Sequence, residues 1–303
     1  MNKELTKHLA PGHSTCAGCG IPAIMRTVLG ATEDPVVVVN VTGCLEVTST
    51  LYPYSAWKIP WIHSAFENGG ATAAGIDAAV KVLRKKSKIP AGKKIQVVVF
   101  AGDGGTYDIG LQSLSGALER QHDFLYVCYD NEAYMNTGGQ RSGATPYGAD
   151  TETTPAGKNS FGKKEKRKDL MSIVIAHHPR YAAQANVAYL PDLAKKAKYA
   201  FGLEGPRFLL VLQPCTNLWK YPTSEYVRIG KLATETNFWP LWEYLDGKYK
   251  INWATKKPKP IEEFLKTQGR FKHLFKPGRE KVIAEMQKEV DEEWKKLVNL
   301  AEV

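Results

Sequence analysis

Apolar runs that favour β-strands alternate with amphipathic, helix-like stretches between residues 35 and 213. The run at 35–41 is rich in β-branched residues, as expected for a strand buried on both faces. Further strands are predicted at 95–101, 124–130, 181–189 and 207–213, and helices at 66–84, about 108–120 and about 191–199. This alternation predicts an α/β fold, a parallel sheet with helices on both faces.

The regular pattern weakens beyond about Tyr221. An aromatic segment at 238–244 and a charged final helix from about 277 to about 300 follow, and they are too irregular to indicate a second core. We therefore predict one domain over residues 1–225 and a C-terminal extension over 226–303. The extension is expected to pack on the core or on a partner subunit.

Composition and charge indicate a cytoplasmic globular protein. The 303 residues are 43% hydrophobic and 24% charged, and the N-terminus lacks the apolar region of a secretory signal. In the cytoplasm, clustered cysteines more often bind metal or do redox chemistry than form disulfides. The net charge of +10 is partly local, with six basic residues against one acid in 158–168. We interpret this run first as a solvated loop and second as a steering surface for an acidic protein, since no nucleic-acid motif accompanies it.

Two polar residues follow directly on neighbouring predicted strands. Asp103 comes after the strand at 95–101, within Gly102-Asp-Gly-Gly105, and Asn131 comes after the strand at 124–130. A strand–helix–strand unit brings both to the carboxyl edge of a parallel sheet, where open α/β sheets bind ligands. Asp103 supplies a hard anionic oxygen for Mg²⁺ and Asn131 a neutral one, while the glycines allow a phosphate to approach the backbone. This spacing is the thiamine diphosphate motif.

Four of the five cysteines also lie in places where chemistry is expected: Cys16, Cys19, Cys44 and Cys215. The last two follow strand-like runs, so they are predicted at the same edge of the sheet. One Cys-x₂-Cys pair followed by two distant single cysteines differs from ferredoxin repeats and from zinc ribbons, and four thiolates suit a [4Fe–4S] cluster. A zinc site stays open as an alternative. Cys128 lies in the middle of a strand and is predicted to belong to the core.

Several stretches resemble the β subunit of pyruvate:ferredoxin oxidoreductases, within the 2-oxoacid:ferredoxin oxidoreductase family. The similarity runs over nearly the whole chain and is carried by residues 13–20, 41–50, 61–68, 129–147 and 268–274. It implies an enzyme in which a 2-oxoacid loses CO₂ on thiamine diphosphate and electrons pass singly to a nearby [4Fe–4S] cluster. It also implies partners: an α subunit that supplies the catalytic glutamate, a ferredoxin-like subunit with further clusters, and external ferredoxin.

The resemblance assigns roles by position. It implies that the Mg²⁺ ligands are Asp103, Asn131 and the backbone carbonyl of Ala133, and that the cluster ligands are Cys16, Cys19, Cys44 and Cys215. Contacts to the cofactor are implied for Thr42, Gly43, Leu45, Gly104, Gly105, Met135 and Asn136. The amide of Asn136 is also implied to face the oxoacid, as a catalytic group.

One position departs from the family pattern and leaves the substrate open. Pyruvate-using members usually carry a glutamate where this chain has Ile21. Loss of that carboxylate favours a substrate with an extra negative charge, and oxalate is therefore expected beside pyruvate as a candidate. Two other classes stay open: a non-oxidative thiamine diphosphate decarboxylase or synthase with a structural zinc site, and a zinc-stabilised scaffold subunit.

Overall fold

The computed structural model describes residues 7–90, 92–253, 255 and 257–302, and its centre is one eight-stranded sheet. The strands are β1 (Val36–Val41), β2 (Trp61–Ser64), β3 (Gln96–Gly102), β4 (Phe124–Asp130), β7 (Tyr181–Asn186), β8 (Pro206–Leu212), β9 (Leu241–Leu245) and β10 (Lys248–Trp253), and β5 (Ala156–Gly157) and β6 (Ser160–Phe161) form a separate hairpin. The main sheet runs in the order β10-β9-β7-β8-β4-β3-β1-β2. All pairings from β7 to β2 are parallel, whereas β9 is antiparallel to both β7 and β10.

Helices cover both faces of this sheet. They are α1 (Ile21–Leu29), α2 (Cys44–Ser49), α3 (Gly69–Lys85), α4 (Leu111–Glu119), α5 (Leu170–Ile175), α6 (Leu190–Gly202), α7 (Thr216–Trp219), α8 (Tyr226–Glu235), α9 (Ile261–Leu265) and α10 (Glu280–Glu302). One apolar core lies between the sheet and α3, α4, α8 and α10, and the other lies between the sheet and α1 and α6. Burial of both faces accounts for the continuous apolar runs of β3, β4 and β8. Within the described residues no helix is both long and apolar enough to cross a membrane.

The predicted α/β fold is confirmed, and its strands lie within a few residues of the expected positions. Strand β4 occupies 124–130 as predicted, and Cys128 is fully buried within it. The sequence patterns did not reveal α1, β2, β9 or β10, and β2 is only four residues long. Strands β2 and β10 are short and largely exposed or half-exposed, so they carry too few buried apolar positions for a period to be read.

Residues beyond Tyr226 continue the main sheet. Strand β9 pairs with β7, and α10 packs against the strands and helices of the extension, so the sheet crosses the predicted boundary at residue 225. Trp239, Phe264 and Val282 of the extension are buried in the same core as β3 and β4. The division into 1–225 and 226–303 stays a prediction, and residues 1–6 and 303 lie outside the described residues.

Candidate functional site

The predicted site residues follow the carboxyl ends of adjacent parallel strands. Gly102 at the end of β3 is in register with Tyr129 of β4, and Asp130 is in register with Leu212 of β8. Asp103 and Asn131, which follow β3 and β4, therefore lie at neighbouring strand ends, and Cys215 follows β8. Strand β1, on the other side of β3, leads into Cys44. The structure brings the residues of both predicted centres to one edge of the sheet.

Asp103 is a fully buried carboxylate that is only half satisfied. Its Oδ2 accepts a hydrogen bond from the Ser142 hydroxyl, whereas its Oδ1 has no protein partner. Burial first, and then the nearby Asp130, raise the pKa of Asp103 well above its ordinary value. A buried carboxylate oxygen without a donor costs free energy unless a cation binds it. These features fit a metal ligand.

The two glycines after Asp103 leave room for a ligand and for aromatic neighbours. They belong to a π-helical turn, Gly104–Asp108, which is buried. A Cβ on Gly104 would lie 2.4 Å from the Tyr134 ring, and one on Gly105 would lie 3.3 Å from Phe66. A side chain therefore does not fit at Gly104, and the two glycines leave the backbone of this buried turn without side chains at the start of a helical segment.

Asn131 and Ala133 lie in a tight loop after β4. The Asn131 Oδ1 accepts a hydrogen bond from the Ala133 N–H at 3.2 Å, and the Ala133 carbonyl accepts one from the Met135 N–H at 2.9 Å. Asn131 is 3% exposed, while Asn136 lies on the exposed end of the same loop. The loop can thus present buried ligands to a metal and an exposed amide to a substrate.

The four predicted cluster cysteines are close enough to influence one another. Burial first, and then the thiols of Cys215 and Cys16, raise the pKa of Cys19 to about 12. Burial, followed by Cys215, Cys19 and Asp103, also raises the pKa of Cys44 to about 12. Burial therefore disfavours the thiolate forms of Cys19 and Cys44 where no cation is near.

In the described part of the chain, no three His, Cys, Asp or Glu side chains are grouped closely enough to hold one metal ion. Four cysteines are compatible in number with tetrahedral zinc and with a [4Fe–4S] cluster. All five cysteines are free of disulfides.

The Thr42–Leu45 turn contacts both β2 and the cysteine region. The Thr42 hydroxyl lies 2.7 Å from the His63 Nε2, and Glu46 lies 3.9 Å from the other ring nitrogen of His63. Gly43 precedes α2, where a Cβ would lie 3.0 Å from the Tyr129 hydroxyl, and the Leu45 side chain is buried. The turn can therefore lie along a cofactor while Cys44 faces the other cysteines.

Sequence reasoning missed a buried ion-pair network next to the loop at 131–136. This loop is called the metal loop below, after its predicted ligands. Glu132, between Asn131 and Ala133, pairs with Arg167 at 2.9 Å and with Arg270 at 2.5 Å. Arg270 belongs to the C-terminal extension, and it is fully buried. The only signal in the sequence was that Arg270 lies in one of the stretches with family resemblance, without an assigned role.

The basic run at 158–168 is only partly a solvated loop, and that interpretation needs correction. Lys163 is 1% exposed and donates to the Thr145 carbonyl at 2.6 Å. Arg167 forms the ion pair with Glu132 described above, and Lys168 pairs with Asp108 at 2.9 Å. Arg167 thus compensates the buried carboxylates of Asp130 and Glu132, a role that charge counting cannot distinguish from exposure.

Together, the sheet topology and the Asp103–Asn131 constellation define a thiamine diphosphate-binding enzyme. A family model described as "Thiamine pyrophosphate enzyme, C-terminal TPP binding domain" matches residues 41–211. The match runs from the last residue of β1 to the penultimate residue of β8 and includes the loops that carry both predicted magnesium side-chain ligands.

Curated relatives narrow the class to one family. The chain is 48% identical over 291 residues to pyruvate synthase subunit PorB of Methanocaldococcus jannaschii, covering 96% of each chain. It is 50% identical over 294 residues to ketoisovalerate oxidoreductase subunit VorB of Pyrococcus abyssi, covering 96% of this chain and 93% of that one. The chain belongs to the family of 2-oxoacid:ferredoxin oxidoreductase β subunits.

A solved structure supports the same fold. The 2-oxoglutarate:ferredoxin oxidoreductase from Magnetococcus marinus superposes with a TM-score of 0.60, covering 90% of this chain and 96% of that chain. Its sequence is only 20% identical, so this likeness speaks for the fold alone.

Proposed function

We propose that this chain is the thiamine diphosphate- and [4Fe–4S]-binding β subunit of an enzyme that oxidatively decarboxylates a small 2-oxoacid and reduces ferredoxin. The observation that carries this proposal is the meeting of two donor sets at one sheet edge. Asp103 and Asn131 suit a metal-bound diphosphate, and four mutually close thiols suit a cluster. A non-oxidative thiamine enzyme has no use for the second set.

The chain's own residues bind and orient the reactants in this proposal. Asp103, Asn131 and the Ala133 carbonyl would hold Mg²⁺, and the Gly104–Gly105 backbone would approach the diphosphate. Bound thiamine diphosphate supplies the electron sink that decarboxylation of a 2-oxoacid requires. The exposed amide of Asn136 would donate a hydrogen bond to the oxoacid, and Thr42, Gly43, Leu45 and Met135 would line the cofactor.

The cysteines would carry electrons away from the decarboxylation site. Cys44 belongs to the Thr42–Leu45 turn that would lie along the cofactor, and the charge of Asp103 contributes to the raised pKa of its thiol. The cluster is thus expected within a short distance of the reaction. A ferredoxin-like subunit with further clusters and external ferredoxin would receive the electrons, and we propose that the enzyme acts in the reducing cytoplasm, where free thiols persist.

The substrate we propose is a small 2-oxoacid, with pyruvate and oxalate both to be tested. The relatives named above act on pyruvate or ketoisovalerate, which supports an uncharged oxoacid side chain. Ile21, the position that suggested oxalate, is 1% exposed and packs in the core at the start of α1. Its side chain is therefore buried away from solvent. The assignment of oxalate as a substrate depends on a direct comparison of its turnover with that of pyruvate.

Anaerobic purification of the complete complex tests the proposal directly. We expect four irons and four sulfides for the site on this chain, and reduction of ferredoxin or viologen by one oxoacid in preference to the others. Pyruvate, 2-oxoglutarate, 2-oxobutyrate, ketoisovalerate and oxalate should be compared, each with and without coenzyme A. Stoichiometric zinc without iron would contradict the redox function and favour the alternative, a non-oxidative thiamine enzyme with structural zinc.

We propose that the α subunit completes the active site by binding the surface formed by α2, the loop after it and β2. Five exposed apolar side chains lie on α2, the loop after it and the edge strand β2: Val47, Leu51, Tyr52, Tyr54 and Ile62. Tyr52 is 98% exposed. An apolar patch beside a cofactor site is typical of a protein interface. A separate cavity of about 240 Å³ lies beneath α10 and is lined by Trp239, Met286 and Trp294.

Replacing Tyr52 and Tyr54 together by serine is expected to weaken assembly with the α subunit by about 10-fold or more, since exposed tyrosines often dominate interface energies. The Tm of the isolated chain should change little, because both side chains are exposed. Sedimentation of the two subunits measures assembly. Val82→Ser on α3, which removes an exposed apolar group elsewhere, serves as the control. Unchanged assembly of the double variant would place the α subunit on another surface.

A further inference from the structure

Three buried hydrogen-bond donors near the cysteines have no acceptor among the described residues of the protein. They are the hydroxyl groups of Tyr221 and Tyr226 and the Nη1 group of Arg270. A buried donor without an acceptor costs about 1–3 kcal/mol, so such groups are few in folded proteins. Three of them in one neighbourhood indicate an acceptor that the polypeptide does not provide.

The Tyr226 hydroxyl lies against the Cys19 end of the Cys-x₂-Cys pair. A Cβ on Gly20, the residue after Cys19, would lie 1.3 Å from this hydroxyl oxygen. Burial first, and then the Cys19 thiol, raise the pKa of the Tyr226 hydroxyl. Gly20 thus leaves the space through which the phenol of α8 reaches the cysteines.

Tyr221 and Arg270 approach the same thiols from the Cys215 side. The Arg270 guanidinium stacks over Trp219 at 3.9 Å, and Trp219 in turn contacts Tyr221 edge-on. Burial first, followed by the thiols of Cys215 and Cys19, raise the pKa of the Tyr221 hydroxyl. The positive charge of Arg270 acts in the other direction on Cys215, whose pKa burial raises.

Two side-chain amides already donate to cysteine sulfurs in this region. The Asn217 amide lies 3.3 Å from the Cys16 sulfur, and the Gln213 amide lies 3.7 Å from the Cys19 sulfur. The amides thus donate to Cys16 and Cys19, and the two phenols and the guanidinium lie near Cys19 and Cys215. A set of donors with few opposing acceptors suits a group whose outer atoms are anionic sulfurs.

We propose that Tyr221, Tyr226 and Arg270 donate hydrogen bonds to the sulfur atoms of the cluster held by Cys16, Cys19, Cys44 and Cys215, and thereby raise its reduction potential. This inference rests on the proposed cluster and goes beyond it by naming the residues that tune it. Reduction adds one electron and hence one negative charge to the cluster. Hydrogen bonds to sulfur stabilise this more negative state, while each donor keeps its proton.

Tyr226→Phe tests the proposal because it removes one hydroxyl and keeps the ring. The reduction potential of the cluster is measured by an electron paramagnetic resonance titration of the full chain, purified anaerobically with its cluster. We expect the equilibrium constant for reduction to fall about tenfold, which corresponds to a potential about 59 mV lower for one electron. Tyr221→Phe is expected to act in the same direction, and it provides an independent variant.

Tyr189→Phe is the matched control. Its hydroxyl is also buried without a protein partner, but its ring packs on Trp253, and apart from burial only Glu235 affects its pKa. The control should leave the potential unchanged. Unshifted potentials in both Tyr226→Phe and Tyr221→Phe, with full iron content, would overturn the proposal. Loss of the cluster from both variants, with folding intact, would also overturn it, because that result assigns the tyrosines to assembly. Absence of iron from the unmodified chain would instead refute the proposed function.

Discussion

Replacing Asp103 with alanine is expected to abolish magnesium-dependent binding of thiamine diphosphate. Loss of a residue that hydrogen-bonds to a metal ligand lowers metal affinity about 10- to 100-fold. Loss of the ligand itself should therefore lower the affinity about 100-fold or more. The protein itself should not be destabilised through charge, because Asp103 is fully buried with one unpartnered oxygen beside Asp130. Calorimetric titration of the complex with the cofactor and Mg²⁺ measures the effect, and iron content should be unchanged.

Two further variants separate ligand loss from general damage. Asp103→Asn keeps the shape of the side chain and removes its charge, so an intermediate affinity is expected. Asp77→Asn alters another buried carboxylate, on α3, which pairs with Lys81 at 2.7 Å and His122 at 2.8 Å. It should lower the free energy of unfolding and leave cofactor affinity intact. Retention of tightly bound cofactor by Asp103→Ala would disprove the proposed magnesium site.

Replacing Arg270 with methionine is expected to destabilise both the fold and the metal loop. The change leaves Glu132 buried with one of its two cationic partners, and breaking a buried ion pair costs about 3–5 kcal/mol. Since Arg167 still pairs with Glu132, we expect a loss near 3 kcal/mol in the free energy of unfolding. Affinity for thiamine diphosphate should fall about 10-fold, because Glu132 lies between two predicted ligands. Denaturant unfolding and cofactor titration give the two quantities.

A double variant and a surface control make this result specific. Adding Glu132→Gln to Arg270→Met removes the uncompensated charge, so part of the lost stability should return. Lys266→Met breaks an exposed ion pair with Glu262 in the same extension. Such a pair contributes about 0.3–0.5 kcal/mol to the free energy of unfolding. If Arg270→Met lowers stability no more than Lys266→Met does, the buried network has no structural importance.

Residues that follow strands could be placed from the sequence with good accuracy. Asp103, Asn131 and Cys215 each come directly after an apolar run, and the carboxyl ends of parallel strands meet at one edge. The loop ligand Ala133 and the exposed Asn136 depended on family resemblance, since neither side chain has a chemical signature of its own. Cys19 and Cys215 are far apart in the chain, so only the fold could show that they lie near each other.

The donors around the cysteines could not be predicted in this way. Tyr226 and Arg270 belong to the extension, where apolar periodicity is weak and no motif indicates a function. A tyrosine on a helix is usually a core residue, and only its approach to Gly20 distinguishes it. The sequence also did not reveal the burial of Lys163 or the ion pairs of Arg167. A basic run has the same composition whether its charges face water or carboxylates.

The sequence by itself determined the strand–helix alternation, the sheet edge and the identity of the residues on it. These features follow from local physics. Apolar periodicity specifies the strands, and a residue that comes directly after a strand lies at the end of that strand. Only the tertiary structure decided which donors surround the four cysteines, and that Arg270 supports the metal loop through Glu132. Contacts between residues more than a hundred positions apart depend on how the whole chain packs, and no local pattern encodes them.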